Sequence, residues 1–168
     1  MPGIDKPIVH WAPDAKSSGL DVGDNVVIVG AGAIGIEYAI HYAEQGKNVT
    51  LVEIADKVTI AGSVAGVLGG EYDLREGLKN EKIDLRLCTA LTSVGDNSVV
   101  LTDVNTNQET TVPASAVLLS VGMKPLSKDG QKFRGSSSNT SVYLVGDCLD
   151  INEIRGAVTT AFEVSVNI

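Results

Sequence analysis

The sequence predicts an α/β fold: a Rossmann-like parallel sheet with helices on both faces and an antiparallel β-meander as crossover. Three observations carry that prediction. First, "NVVIVG" at 25–30 is almost wholly apolar, as a strand buried on both faces of a parallel sheet should be. Second, Gly30, Gly32 and Gly35 follow as GxGxxG, and small or apolar residues then recur at helical spacing at Ile34, Ala39, Ile40 and Ala43. Third, "NVTLVE" at 48–53 is another apolar run, ending in the acid Glu53. Gly46 is placed to stop the helix, and Lys47 sits beside its last turn, where a cation suits the dipole. Together these make one βαβ unit.

The remaining elements follow in order. Residues 54–66 show no clean period and are expected to form a mobile loop over the edge of a ligand. "VLGGEYDLREGLKNEK" reads as a helix preceded or interrupted by Gly69 and Gly70, with Leu74 and Leu78 as its core contacts. "IDLRLC" at 83–88 is a third strand. "ALTSVG", "SVVLTDV" and "ETTVP" favour β-formers and are separated by polar turns, which predicts an antiparallel meander. "AVLLSVG" at 116–122 returns as a buried strand, and "SVYLVGD" at 141–147 is expected to be another. The chain closes on a helix whose Ile154, Ala157, Val158 and Ala161 share one face. The core sheet is thus expected from strands near 26–30, 48–53, 84–88 and 116–121.

Composition narrows the function. The 168 residues carry a net charge of -8, and aromatic residues make up 4%. An acidic surface repels phosphate backbones and few rings are available for base stacking, so a nucleic-acid partner is not expected. No apolar run approaches the ~20 residues that cross a bilayer, and "MPGIDKPIVHW" lacks a signal-peptide pattern, so a cytoplasmic protein without a membrane partner is expected. Cys88 and Cys148 are 60 residues apart and form no CxxC motif. Both are expected reduced and buried. His10 and His41 are isolated, so no metal ligands are assigned, and Tyr38 and Tyr42, one helical turn apart, are read as packing.

The glycine motif has a mechanical reading. Gly30 permits the sharp turn from strand to helix. Gly32 lacks a side chain, so a pyrophosphate can approach the backbone and is expected on Gly32, Ala33 and Ile34, with Ala31 also assigned to the cofactor-binding turn. Gly35 lets the helix pack closely on the sheet. The free N–H groups at the helix start then face the phosphates. Glu53 lies 18 residues beyond Gly35, at the tip of the second strand, where its carboxylate can accept hydrogen bonds from an adenosine ribose. That carboxylate would repel a 2′-phosphate, and Lys57 is the only cation in the segment after it, so NAD(H) is favoured over NADP(H). The bland alternative is a purely structural βαβ turn; a methyltransferase turn rarely needs the full GxGxxG.

With these residues in view, the chain resembles the pyridine nucleotide–disulfide oxidoreductase fold of two-dinucleotide flavoproteins over nearly its whole length. "GAGAIGIEYA" is similar to the nicotinamide-nucleotide fingerprint, which carries an acid where Glu37 stands. "AVLLSVGMKPLS" resembles the later strand and its glycine–proline loop, and "SVYLVGDCLD" resembles the flavin-contacting stretch ending in Gly146 and Asp147. "GDC" with "IRGAVTTAFEVSVNI" resembles most the C-terminal module of NADH:flavin oxidoreductases of the old yellow enzyme, dienoyl-CoA reductase and enoate reductase type.

The resemblance implies that 1–22 is a remnant of the flavin domain with its linker, 23–126 the NAD(H)-binding domain, and 127–168 a flavin-domain strand and helix. It also implies FAD, a flavin barrel and an iron–sulfur cluster in an intact parent. This chain has no FAD fingerprint and no cysteine cluster, so it is expected to lack FAD itself, to be an excised piece, and to catalyse nothing alone. In the family Asp147 would meet the flavin ribityl chain; here a solvated or capping acid is expected. Glu37 either meets the nicotinamide carboxamide or is an acid in the first helical turn. Gly122 either passes close to the cofactor, the favoured reading, or ends a strand. The function expected is positioning NADH for hydride transfer to a flavin held elsewhere. The alternatives are a dinucleotide-sensing module and an inactive scaffold closed by the 54–70 segment.

Overall fold

The computed structural model describes residues 1–58, 70–136, 141–151 and 153–168. Two compact units divide the chain, Met1–Val121 and Gly122–Ile168.

In the first unit a five-stranded parallel sheet is built from β1 (Val9–Trp11), β2 (Asn25–Val29), β3 (Asn48–Val52), β4 (Ile83–Arg86) and β8 (Ala116–Leu119), in the order β1-β8-β2-β3-β4. A second, three-stranded antiparallel sheet holds β5 (Thr89–Val94), β6 (Ser98–Asp103) and β7 (Glu109–Pro113) in sequence order. This is the meander expected from the β-formers at 89–113, and it joins β4 to β8.

Side-chain alternation along the parallel strands divides the core in two. Val26, Ile28, Val49, Leu51, Ala116 and Leu118 face one way. Against them pack α1 (Ala12–Ser17) through Ala12 and Ala15, α2 (Ala33–Glu44) through Ile36, Ala39, Tyr42 and Ala43, and α3 (Gly70–Gly77) through Leu74. Leu78, the other expected contact of that helix, is packed against the same cluster. Val27, Val52 and Val117 face the other way and meet Val94, Val99, Leu101 and Val112 of the meander. The Rossmann-like sheet, its helices and the antiparallel meander are thus all present, and among the described residues the meander covers the second face. Each antiparallel strand offers the apolar side that a helix would otherwise have to supply.

Helix α2 ends where the glycine signal places it. Gly46 has φ +81°, and Lys47 pairs with Asp24 at 3.3 Å. Gly77 explains how α3 lies on α2, since a Cβ there would come within 2.4 Å of Ile40 Cδ1. Cys88 is half-buried with φ +49°, so it sits on a turn between β4 and β5 and not in the core as expected.

The second unit holds α4 (Ser127–Gln131), a short 3-10 turn at Gly146–Cys148 and α5 (Glu153–Ser165). The strand expected at 141–147 does not form. No other strand lies among the described residues of this unit, so those backbone groups have no ladder to join. The shared face expected on α5 is also revised. Ile154 and Val158 are 68% and 64% exposed. The helix instead packs on the 3-10 turn through Ala157 and Thr160: a Cβ on Gly146 would lie 3.2 Å from Ala157 Cβ, and the Gly146 N–H donates to Thr160 Oγ1 at 2.8 Å. The expected loop at 54–66 falls outside the described residues from 59 onward.

Candidate functional site

Strand order locates the site. From β2 the chain moves outward to β3 and β4, while β8 lies on the other side of β2. The carboxyl ends of β2 and β8 thus flank a topological switch point, the place where open α/β sheets take their ligands. Val29 and Leu119 pair at that end.

The glycine turn fills this position, and its three glycines do different work. Gly30 adopts φ +100°, and a Cβ on it would stand 2.4 Å from the carbonyl oxygen of Ser120, just beyond β8. A Cβ on Gly35 would stand 1.9 Å from the carbonyl oxygen of Gly30. Both are therefore demanded by packing. Gly32 has an ordinary φ of -76°, and among the described residues a Cβ there would meet nothing within 4 Å. Its bareness leaves space in front of the turn.

That space is lined by donors. The first intrahelical bond of α2 runs from the Ile36 N–H to the Gly32 carbonyl at 3.0 Å. The amides of Gly32, Ala33, Ile34 and Gly35 therefore precede the helical ladder. Gly32 is the N-cap and has no side chain to satisfy them, and no acid lies in the first turn. Amides without an intrahelical acceptor at the positive end of a 12-residue helix suit an anion with several oxygens.

Glu53, half-buried, follows β3 directly. Its Oε2 accepts the Ala31 N–H at 2.8 Å and its Oε1 accepts the Ala55 N–H at 3.0 Å. The structure thus brings the acid to the glycine turn as the spacing requires. It also shows that the amide of Ala31, one of the expected cofactor-binding residues, is committed to that carboxylate. An ionised carboxylate offers about four lone-pair sites, so two remain for a sugar's hydroxyl groups. Nothing local in the sequence ties Ala31 to Glu53; only the side-by-side pairing of β2 and β3 does so. Ser120, also not singled out, is found only through β8 lying beside β2.

The other candidates are placed as follows. Glu37 is exposed and is the fifth residue of α2, which begins at Ala33, so it lies beyond the first turn. Gly122, with φ +91° and open space where a Cβ would be, bends the chain three residues after β8. Gly146 is buried in the 3-10 turn, whereas Asp147 beside it is exposed. Cys148 is half-buried. Tyr38 and Tyr42 stack at 6.1 Å, and burial together with Tyr38 raises the Tyr42 pKa, as packing residues would show. A separate groove of about 480 Å³ opens beside β4, lined among others by Asn48, Glu81, Lys82, Asp84 and Arg86. Its charges are mixed, with Arg86 paired to Asp84 at 2.8 Å, so it selects no ligand sign. Among the described residues no helix is long and apolar enough to cross a membrane.

Known proteins share this fold. The profile of the pyridine nucleotide-disulphide oxidoreductases matches residues 5–163. Cinnamate reductase of Clostridium sporogenes is 30% identical over 168 residues, covering 99% of this chain and 24% of that protein. A ferredoxin–NAD(P)(+) reductase of Sphingomonas sp is 33% identical over 147 residues, covering 80% of this chain and 35% of that protein. Among solved structures, 2-naphthoyl-CoA reductase with 2-naphthoyl-CoA superposes with a TM-score of 0.81 at 25% identity, over 100% of this chain and 24% of that one. The chain thus spans about a quarter to a third of the length of these relatives.

Proposed function

Because the chain belongs to the pyridine nucleotide-disulphide oxidoreductase family, we propose that it is an NADH-binding module which holds the dinucleotide for hydride transfer to a flavin carried by the rest of a larger protein. One observation carries the reading: unpaired amides at the start of α2 stand over the open space at Gly32, with the Glu53 carboxylate across the turn. The residues fit the two ends of an adenosine diphosphate. Amides of Gly32, Ala33 and Ile34 would take the pyrophosphate, and Glu53 the ribose.

When bound, the nicotinamide supplies a hydride, and the family's flavin is its acceptor. This chain's own residues bind and orient. Glu53 sets the preference for NADH, because a 2′-phosphate would be pressed against a carboxylate. Lys57 is the only cation at 54–58 and is exposed, too weak a counter-charge to reverse that preference. Glu37, exposed on the outer part of α2, is available to a nicotinamide carboxamide. Gly122 lets the chain after β8 pass near the same ligand. Gly146 and Asp147 would serve FAD only together with a flavin half, and the flavin barrel of enoate-reductase-type relatives is the partner this reading implies. The same reading sets the protein in the cytoplasm.

Titration of the purified chain with NADH, followed by nicotinamide fluorescence, tests the proposal. Weak binding is expected, with Kd of about 1 mM or somewhat below, and weaker still for NADPH. The full chain is expected to turn over no substrate alone. No NADH binding at millimolar concentration would overturn the reading.

A further inference from the structure

We propose that Glu53 is a positioning residue as well as a sugar acceptor: its carboxylate sets the shape of the glycine turn before a dinucleotide arrives. The inference rests on the reading of the turn as a dinucleotide cradle and adds a second role to one of its residues.

Glu53 is anchored from both sides. Its N–H donates to the Arg86 carbonyl at 2.9 Å, and its own carbonyl accepts the Thr89 N–H at 2.9 Å. The side chain leaving this fixed backbone ends in a carboxylate that holds two amides from two different segments. Ala31, in the turn after β2, is held at 2.8 Å, and Ala55, in the segment after β3, at 3.0 Å. Both are bonds from neutral donors to an ionised acceptor, the stronger class.

The turn needs such a tether. Gly30 is held at its start by its N–H donating to the Val52 carbonyl at 2.8 Å. Gly32 has no capping side chain and no neighbour within 4 Å of its would-be Cβ. Ala31 lies between the two, fully buried, and its amide is fixed by the Glu53 side chain. The donors that face the ligand begin one residue later. A carboxylate that holds Ala31 therefore sets the direction of the Gly32, Ala33 and Ile34 amides and spares the ligand that ordering cost.

Glutamine at this position is a sharp probe. Its side chain has one acceptor oxygen, and its NH₂ would face an N–H group, so one of the two tethers is lost. The first measurement needs no variant. In the isotope-labelled full chain, the amide proton shifts of Ala31 and Ala55 should follow the titration of the Glu53 carboxyl group and share its midpoint. Flat profiles at both amides would overturn the proposal. The second compares wild type and Glu53→Gln for NAD⁺ and for an NAD⁺ analogue lacking both hydroxyl groups of the adenosine ribose. A positioning role predicts that the variant loses about tenfold in affinity even for the analogue, which offers nothing for a sugar acceptor to hold. If the variant binds the analogue as tightly as wild type, or more tightly, Glu53 acts only on the sugar and the proposal fails. A wild-type chain that binds neither dinucleotide overturns the cradle reading itself, a distinct outcome.

Discussion

Replacing Gly32 and Gly35 separately should split binding from folding. At Gly32 a Cβ meets nothing within 4 Å and φ is -76°, so valine is accommodated without moving the turn. The loss of a tolerated N-cap residue costs about 1 kcal/mol at most. For a chain of this size that lowers the melting temperature by roughly 2–4 °C. The isopropyl group nevertheless occupies the space where a pyrophosphate would reach the backbone. NADH affinity should fall by more than about tenfold, which is about 1.4 kcal/mol. At Gly35 the balance reverses. A Cβ would stand 1.9 Å from the Gly30 carbonyl oxygen and 3.4 Å from Ser120 Cβ, so the turn and helix must separate by at least about 1 Å. Overpacking of that kind costs about 1–3 kcal/mol, and a clash with a backbone oxygen puts Gly35→Ala at about 3; alanine's better helix propensity returns up to about 1, leaving a net loss of about 2 kcal/mol. Gly35→Ala should therefore melt several degrees lower than wild type. Thermal unfolding by circular dichroism and NADH fluorescence titration read the two effects on the same samples. A Gly32→Val chain that binds NADH at wild-type affinity would refute the assignment of this turn to the ligand. A Gly35→Ala chain as stable as wild type would refute the packing account.

The remaining predictions concern the scaffold. Ser115 Oγ accepts the Asn25 N–H at 2.9 Å and lies 2.7 Å from the Val22 carbonyl oxygen, to which its hydroxyl can donate. Ser115→Ala leaves the start of β2 without that link and should cost about 1–2 kcal/mol in denaturant unfolding, with no change in strand content. Asp103 Oδ1 accepts the N–H groups of Thr106 and Asn105 in the β6–β7 turn, and these bonds hold its pKa below the ordinary aspartate value. A depressed folded-state pKa gives stability that is present above the unfolded value of about 3.9 and is lost as pH falls through the folded one. The difference in melting temperature between wild type and Asp103→Ala should therefore be full at neutral pH and shrink only below about pH 3.9.

The βαβ unit was legible because its signals are local. Val26, Val27 and Ile28 are apolar without alternation, and all three are at most 1% exposed. Gly46 stops α2 by its own backbone conformation. What the sequence hid were relations between distant segments. "SVYLVGD" has the composition of a buried strand, but a strand exists only beside another, and composition carries no partner. Ile154 and Val158 fit a helical face as well as Ala157 does, and periodicity alone cannot tell which face meets the Gly146 turn. Coverage of the second sheet face by β5–β7 was hidden for the same reason, since β-formers alternate equally well in a free hairpin and in one packed on Val27 and Val117. At the site the two acceptor–donor links of Glu53 went unread, although the residue itself was found. Spacing places an acid at the tip of β3, but only parallel pairing in register, Val29 beside Val52, puts that tip against the amide of Ala31.

The three glycines of the turn carry unequal weight as evidence for binding. Gly30 and Gly35 are forced by contacts with Ser120 and with each other, and those contacts would be the same in a turn that bound nothing. Their presence therefore argues for a tightly wound β–α junction and says nothing about a ligand. Gly32 alone is bare without an internal reason, at the point where four helix amides lack intrahelical acceptors. Unpaired donors beside open space cost little while water reaches them, so stability gives no reason to keep glycine there over serine or aspartate, which would cap the helix and stabilise it by roughly a few tenths of a kcal/mol. A cap at Gly32 would, however, occupy those amides and close the space. An uncapped, open N-terminus facing a tethered carboxylate gives up helix stability in favour of a site that can receive an anion and a sugar together. The case for a dinucleotide therefore rests on the position where the fold does not require glycine.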